Sequence, residues 1–174
     1  MIQLYPMKHK FAWEYYNKAN ANHWLPTEIS MQLDIEQWKS KSVLSPDERQ
    51  AFETVLGFFT TADSIAANNI VIAFYKHVTS PEVRMYLLRQ GYEEAIHTHA
   101  YQYIVESLGM DESKIFNMYR EVDSIYNKGE FILGFNEGIF DGGFKTGTLE
   151  SDQKFLENWC VFSLILEVFS PSTL

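Results

Sequence analysis

Residues 79–109 read TSPEVRMYLLRQGYEEAIHTHAYQYIVESLG, and this stretch decides the fold. Thr79-Ser80-Pro81-Glu82 has the makings of a helix start. A hydroxyl residue can cap the free N–H groups, a proline at the first helical position loses no hydrogen bond, and an acid sits in the first turn. Val83, Leu87, Gln90, Glu94, His97, Tyr101, Ile104 and Leu108 then recur at steps of 3 or 4, which puts them on one face of a long helix. Gly109 stands where a C-terminal stop belongs. The face is apolar towards both ends and holds a carboxylate, an imidazole and a phenol in its middle.

The neighbouring sequence repeats the design. Ser45-Pro46-Asp47-Glu48 opens an earlier helix, whose apolar face is Phe52, Leu56, Phe59, Asp63, Ala66, Ile70 and Phe74. Asp111 and Ser113 restart a helix through about Tyr126. Glycine-rich segments around Gly138 and Asp141-Gly142-Gly143 separate it from a last helix over residues 151–167. No segment alternates apolar and polar residues between hairpin turns. The expected fold class is all-α, a helical bundle. Residues 1–30 form a Trp/Tyr-rich, partly irregular arm ending in His23-Trp24-Leu25-Pro26-Thr27-Glu28-Ile29, and residues 31–167 form the bundle. Residues 168–174 make an atypical tail in which Pro171 interrupts what reads as a buried helix.

Composition sets bounds on function. Hydrophobic residues are 46% and aromatics 16% of 174 residues, which requires a large dry core and argues against disorder. The net charge of −9 leaves few cations to displace counterions, so no nucleic-acid partner is expected. Cys160 is the only cysteine, which rules out an internal disulfide and a cysteine-based zinc site; it reads as a small buried hydrophobe. MIQLYPMKHKFAWEYY lacks the basic-then-apolar layout of a leader, and no apolar run approaches the ~18 residues of a membrane span. A cytoplasmic protein with no membrane partner is expected.

Asp63, Glu94, His97 and Glu167 each lie on, or within one residue of, the apolar stripe of a helix. Burying an isolated carboxylate costs several kcal/mol or more, so such groups are paired or bind metal. Glu94 and His97 leave the same face ~4.5 Å apart along the axis and can share one metal or contribute to a bridged pair. Helical bundles that hold two iron or manganese ions use a carboxylate from each of two helices and Glu-x-x-His from each of the other two. Read singly, Glu-x-x-His recurs by chance, and Asp63 reads equally as a buried acid capping a neighbouring element. Tyr101 follows His97 by one helical turn, ~6 Å along the axis. It is either a redox phenol beside a metal or a core tyrosine bonded to an acid, and Trp24 reads equally as an aromatic anchor. His99 points away from His97, and Glu93 lies on the flank.

Asn22-His23-Trp24-Leu25-Pro26-Thr27-Glu28-Ile29, Ala62-Asp63-Ser64-Ile65 and Glu93-Glu94-Ala95-Ile96-His97-Thr98-His99-Ala100-Tyr101 resemble, in order and spacing, the small (beta) subunit of class I ribonucleotide reductase, and Leu164-Ile165-Leu166-Glu167 resembles the start of its third ligand helix. The resemblance implies a ferritin-like dimetal-carboxylate bundle in which Asp63, Glu94, His97 and Glu167 bind two iron ions, or manganese, or a manganese–iron pair. It implies that Tyr101 is oxidised to a stable radical and that Trp24 relays an electron between that centre and the large (alpha) subunit, where a thiyl radical starts removal of the ribonucleotide 2′-hydroxyl. Members with phenylalanine in place of the tyrosine store the oxidising equivalent on a manganese–iron pair, so Tyr101 points to the radical-tyrosine type.

Three departures follow from the same resemblance. The second Glu-x-x-His is absent, Pro171 stands where the family has an aromatic, and the docking tail of the family is missing. The bundle is therefore expected to be incomplete, lacking the last ligand helix, with Glu94, His97 and Glu167 facing a gap. A homodimer or a companion chain carrying the other half is expected, and the chain alone should be inactive. A non-catalytic half-subunit and a ligand-binding oxidase of the same superfamily are the rival readings.

Overall fold

A computed structural model describes residues 3–136, 138–140 and 142–166 of the protein. Among these, every regular element is helical: α1 (Lys10–Ala21), α2 (Gln32–Lys39), α3 (Pro46–Asn68), α4 (Pro81–Leu108), α5 (Glu112–Glu121), α6 (Asp123–Asn136) and α7 (Leu149–Val161). A 3-10 turn spans Pro26–Glu28, and wide π-helical turns span Asn69–Phe74 and Phe162–Leu166. Glu167 and residues 168–174, which carry the expected third-helix ligand and the tail, lie outside the described residues.

The helix starts form as their residues dictate. Ser45 Oγ accepts the Glu48 N–H at 3.2 Å while the Glu48 carboxylate accepts the Ser45 N–H at 2.8 Å, a reciprocal cap at the head of α3. Ser80 Oγ accepts the Val83 N–H at 3.3 Å at the head of α4. Gly109 ends α4 in the left-handed region at φ 66°, a conformation that costs a side-chain-bearing residue energy. Helix α4 is the hub, with α3 packed on one side and α1 on another. One core cluster gathers Ile70, Phe74, Leu87 and Phe162, and a second gathers Leu56, Tyr101, Val105, Ile115 and Met118. At Gly57 an added Cβ would stand 2.6 Å from Met118 Sδ, so the absence of a side chain is what lets α3 and α5 approach.

Within the partly irregular arm, α1 is a regular helix whose Ala12 is buried. Several expectations from sequence need correction. The helix after Asp111 does not end near Tyr126; it breaks at Val122, which is extended, and restarts at Asp123 because Ile125, Ile132 and Asn136 find cover to the end of α6. Cys160 is exposed, since α7 turns Asn158 and Phe162 inward and leaves the thiol outside. Phe52 is exposed as well, lying at the rim of α3 against the Trp38 ring, 5.7 Å away. Pro46–Phe74 has the length and hydropathy to cross a membrane. It is instead a core helix that buries Asp63 and Asn69.

Glu82 shows how α1 is fixed to the hub. Its side chain is 1% exposed and accepts the Lys8 N–H at 2.7 Å and the His9 N–H at 3.2 Å, with the Ser80 hydroxyl at 2.8 Å. Backbone N–H groups entering a helix lack intrahelical acceptors, so a carboxylate there satisfies them and gains from the helix dipole. Its own backbone N–H, the Ser80 hydroxyl and these two amides hold the Glu82 carboxyl down to about 2, below the ordinary 4.5. A depressed carboxyl stabilises the fold above its unfolded value and loses that contribution as pH falls through the folded one. Glu82→Gln should therefore melt below the parent at pH 6. The difference should shrink steadily between pH 4.5 and 2, read as Tm against pH.

Candidate metal centre

The centre of α4 and the middle of α3 bring three ligand-type side chains together. Asp63, Glu94 and His97 each offer one donor atom, all within 4.8 Å of one another. Asp63 is 1%, Glu94 2% and His97 9% exposed. Glu94 and His97 are thus both buried beside Asp63. His97 Nδ1 is 3.3 Å from Glu94 Oε2 and 3.6 Å from Asp63 Oδ2, so one ring nitrogen faces both carboxylates. Burial alone would lower the histidine's affinity for protons. The Glu94 hydrogen bond and the fields of Glu94, Asp63 and Glu93 outweigh it and hold His97 above the usual histidine range.

The donor set fits a cation. Two carboxylates and one imidazole carry a net charge of −2, or −1 if the ring is protonated, and this charge is buried. Taken out of water, such a group is stabilised by a divalent ion bound through carboxylate oxygens and an imidazole nitrogen. Fe²⁺, Mn²⁺ and Zn²⁺ all accept this mixture, and the closed apolar surroundings supply the dry shell in which a metal's charge acts strongly.

Tyr101 joins the same cluster. Its hydroxyl donates to Asp63 Oδ2 at 2.8 Å. Burial and the Asp63 charge push its pKa far above the ordinary phenol range, so the phenol stays protonated. The Phe59 ring lies along it at 6.0 Å between centroids and 20° between planes, a neighbour that the sequence placed on the stripe without marking it for the site. Trp24, which follows α1, comes to rest against His97 with ring centroids 6.4 Å apart and planes tilted by 34°. His99 is exposed and takes no part. Glu93 sits on the flank, paired with Arg89. Arg89 and Glu82 are buried charges of α4 that face α1; the sequence marked Glu82 only as a first-turn acid and did not single out Arg89.

Comparisons agree with this geometry. The family described as ribonucleotide reductase, small chain, matches residues 1–173. The chain is 48% identical over 165 residues to the ribonucleoside-diphosphate reductase subunit beta of Chlamydia pneumoniae, covering 95% of this chain and 47% of that protein. It superposes with a TM-score of 0.80 and 26% identity on the ribonucleotide reductase R2 subunit from Clostridium botulinum, covering 96% of this chain and 50% of that one. It also shares its fold, at a TM-score of 0.70 and 23% identity, with the dimanganese(II)-NrdF of Streptococcus sanguinis, covering 90% of this chain and 53% of that one. The chain spans about half the length of the relatives it matches. With the match running through the arm, the hub helix and the carboxylate cluster alike, the chain belongs to the ribonucleotide reductase small-chain family.

Proposed function

We propose that this chain contributes half of a ribonucleoside-diphosphate reductase small subunit, in which Tyr101 is oxidised to a radical beside a metal pair. One observation carries the reading: the Tyr101 hydroxyl donates to Asp63, and Asp63 shares its cluster with Glu94 and His97. Asp63, Glu94 and His97 would hold the metal, joined by Glu167, the further ligand that the family resemblance implies. The bound, reduced pair would supply, with dioxygen, an oxidant for the phenol. Oxidising a phenol to a neutral radical removes one electron and one proton. Asp63 Oδ2, already hydrogen-bonded to that proton at 2.8 Å, is positioned to take it. The buried, aromatic-lined site then keeps water from the radical.

Trp24 would relay an electron between the large subunit, which gives it up, and the Tyr101 radical, which accepts it, its ring lying against His97. Trp24→Phe is expected to leave the radical signal in place and to remove at least ~100-fold of reductase turnover in the reconstituted complex, since phenylalanine is far harder to oxidise. Unchanged turnover would return Trp24 to a packing role.

Completion by further protein is part of the proposal. Only one Glu-x-x-His is present. Leu133, Phe131 and Phe135 on α6 and Leu156 on α7 are exposed, surface that a companion polypeptide or a second copy would cover. With the large subunit alone, the 174-residue chain should show no turnover and should bind metal weakly or as a single ion. Adding a polypeptide carrying the other half of the family sequence should restore activity. Two tightly bound metals and turnover without that addition would show that the site needs no completion. We place the protein in the cytosol, where its lone exposed thiol would stay reduced.

A further inference from the structure

The Trp24–His97 contact is not made by the tryptophan alone. Trp24 belongs to the chain between α1 and the 3-10 turn, and α4 grips that segment on both sides. Upstream, Arg89 is 7% exposed. It donates from Nη2 to the Ala19 carbonyl at 2.9 Å and from Nε to Asn20 Oδ1 at 3.0 Å. Its Nη1 pairs with Glu93, and its guanidinium lies 5.3 Å from the centroid of the Tyr92 ring. The Tyr92 ring in turn meets the ring of His23, the residue before Trp24, at 5.9 Å. Downstream, the Tyr103 hydroxyl donates to the Ile29 carbonyl at 3.1 Å.

The geometry points to Arg89 as the positioning residue that sets Trp24 against His97, with Tyr103 closing the clamp from the other side. The last carbonyls of a helix have no intrahelical partner and form its negative end, so a cation at Ala19 satisfies an acceptor and meets the dipole. A buried guanidinium needs its charge matched, and Glu93 supplies the match without entering the metal cluster. The fork is what makes the residue specific. One planar group reaches Ala19, Asn20 and Glu93 at once, and an ammonium on a flexible stem cannot reproduce three fixed directions. Arg89 precedes His97 by eight residues and Tyr103 follows it by six, so both anchors and the imidazole sit on one rigid rod, ~12 Å and ~9 Å from the histidine along the axis. The Trp24–His97 spacing is thereby fixed in the frame of a single helix.

The purpose of this clamp rests on the reading of Trp24 as an electron relay, but its existence is tested without turnover. Labelling with 5-fluorotryptophan gives four fluorine resonances, for Trp13, Trp24, Trp38 and Trp159, and Trp24→Phe identifies one of them. In Arg89→Lys, the Trp24 resonance should move towards the free amino-acid frequency and narrow. Those of Trp38 and Trp159 should stay in place, and so should that of Trp13, which lies near the Glu82-held start of α1. A stationary Trp24 resonance overturns the proposal, and so does a displacement shared by all four, which would make Arg89 a general element of the fold. If Arg89→Lys does not fold, Tyr103→Phe carries the same test with the same two outcomes. Loss of the Trp24 position here, together with normal turnover of Trp24→Phe, would keep the clamp and reject the relay.

Discussion

Tyr101→Phe is expected to erase the tyrosyl radical signal completely while leaving metal binding nearly intact, as seen by electron paramagnetic resonance after oxygen is admitted to the ferrous, completed protein. The hydroxyl is bonded to Asp63, a candidate ligand, and is not itself grouped with the candidate metal donors. Removing it deprives a carboxylate that is 1% exposed of one charged hydrogen bond, a loss of about 1.5–3 kcal/mol in the metal-free protein. A metal at the same oxygen would offset part of that loss, so the stability deficit should shrink when metal is bound. Should a tyrosyl signal persist, the radical belongs to another tyrosine. Tyr103, bonded to the Ile29 carbonyl, and Tyr92, against His23, would be the ones to substitute next.

The second large effect is expected at His97. Its Nδ1 is the nitrogen that faces both carboxylates, and His97→Ala should weaken metal binding by at least ~100-fold, more than the loss of a residue that only orients a ligand. The pH dependence gives an independent signature. A metal-binding imidazole must be deprotonated, so protons compete with the metal. Glu94, Asp63 and Glu93 hold His97 above the usual histidine range despite its burial. The parent's affinity should therefore keep rising as pH climbs past 6.5, and the residual binding of His97→Ala should lack that step. The linked effect on the metal-free fold has the opposite sense. A raised histidine stabilises the fold at low pH, and that contribution is lost as pH rises through the folded value. Anaerobic calorimetric titration with Mn²⁺ across this range reads the first effect, and thermal melts of the metal-free protein read the second.

The centre of the molecule was legible in the sequence because its signals are local. Ser80, Pro81 and Gly109 mark the ends of α4, and Glu94, His97 and Tyr101 follow from a spacing that any helix imposes. Asp63 was legible for the same reason on α3. What escaped depended on partners far along the chain. Arg89 carries no local mark, and Glu82 shows only as a first-turn acid, until α1, some 70 residues earlier, folds over them. Cys160 read as buried because it stands in an apolar run, and only the choice of which side of α7 turns inward puts it outside. The break at Val122 carries no glycine or proline to announce it; it arises from a backbone that leaves the helical region so that α5 and α6 can both find cover.

The wide turn at Asn69–Phe74 has a geometric consequence for α3. A π turn amounts to a helix with one residue too many. Asp63 precedes it and faces Tyr101; Phe74 ends it and meets Trp159 at 4.6 Å and Phe162 at 5.1 Å. Removing a single residue from this turn would restore the ordinary register and swing everything beyond it by about 100°. Phe74 would leave its aromatic nest while Asp63 stayed in place. The extra residue therefore acts as a phase shifter on one continuous rod. It lets the front of the rod be indexed to the carboxylate cluster and the back to α7, two angular settings that an uninterrupted helix would lock together.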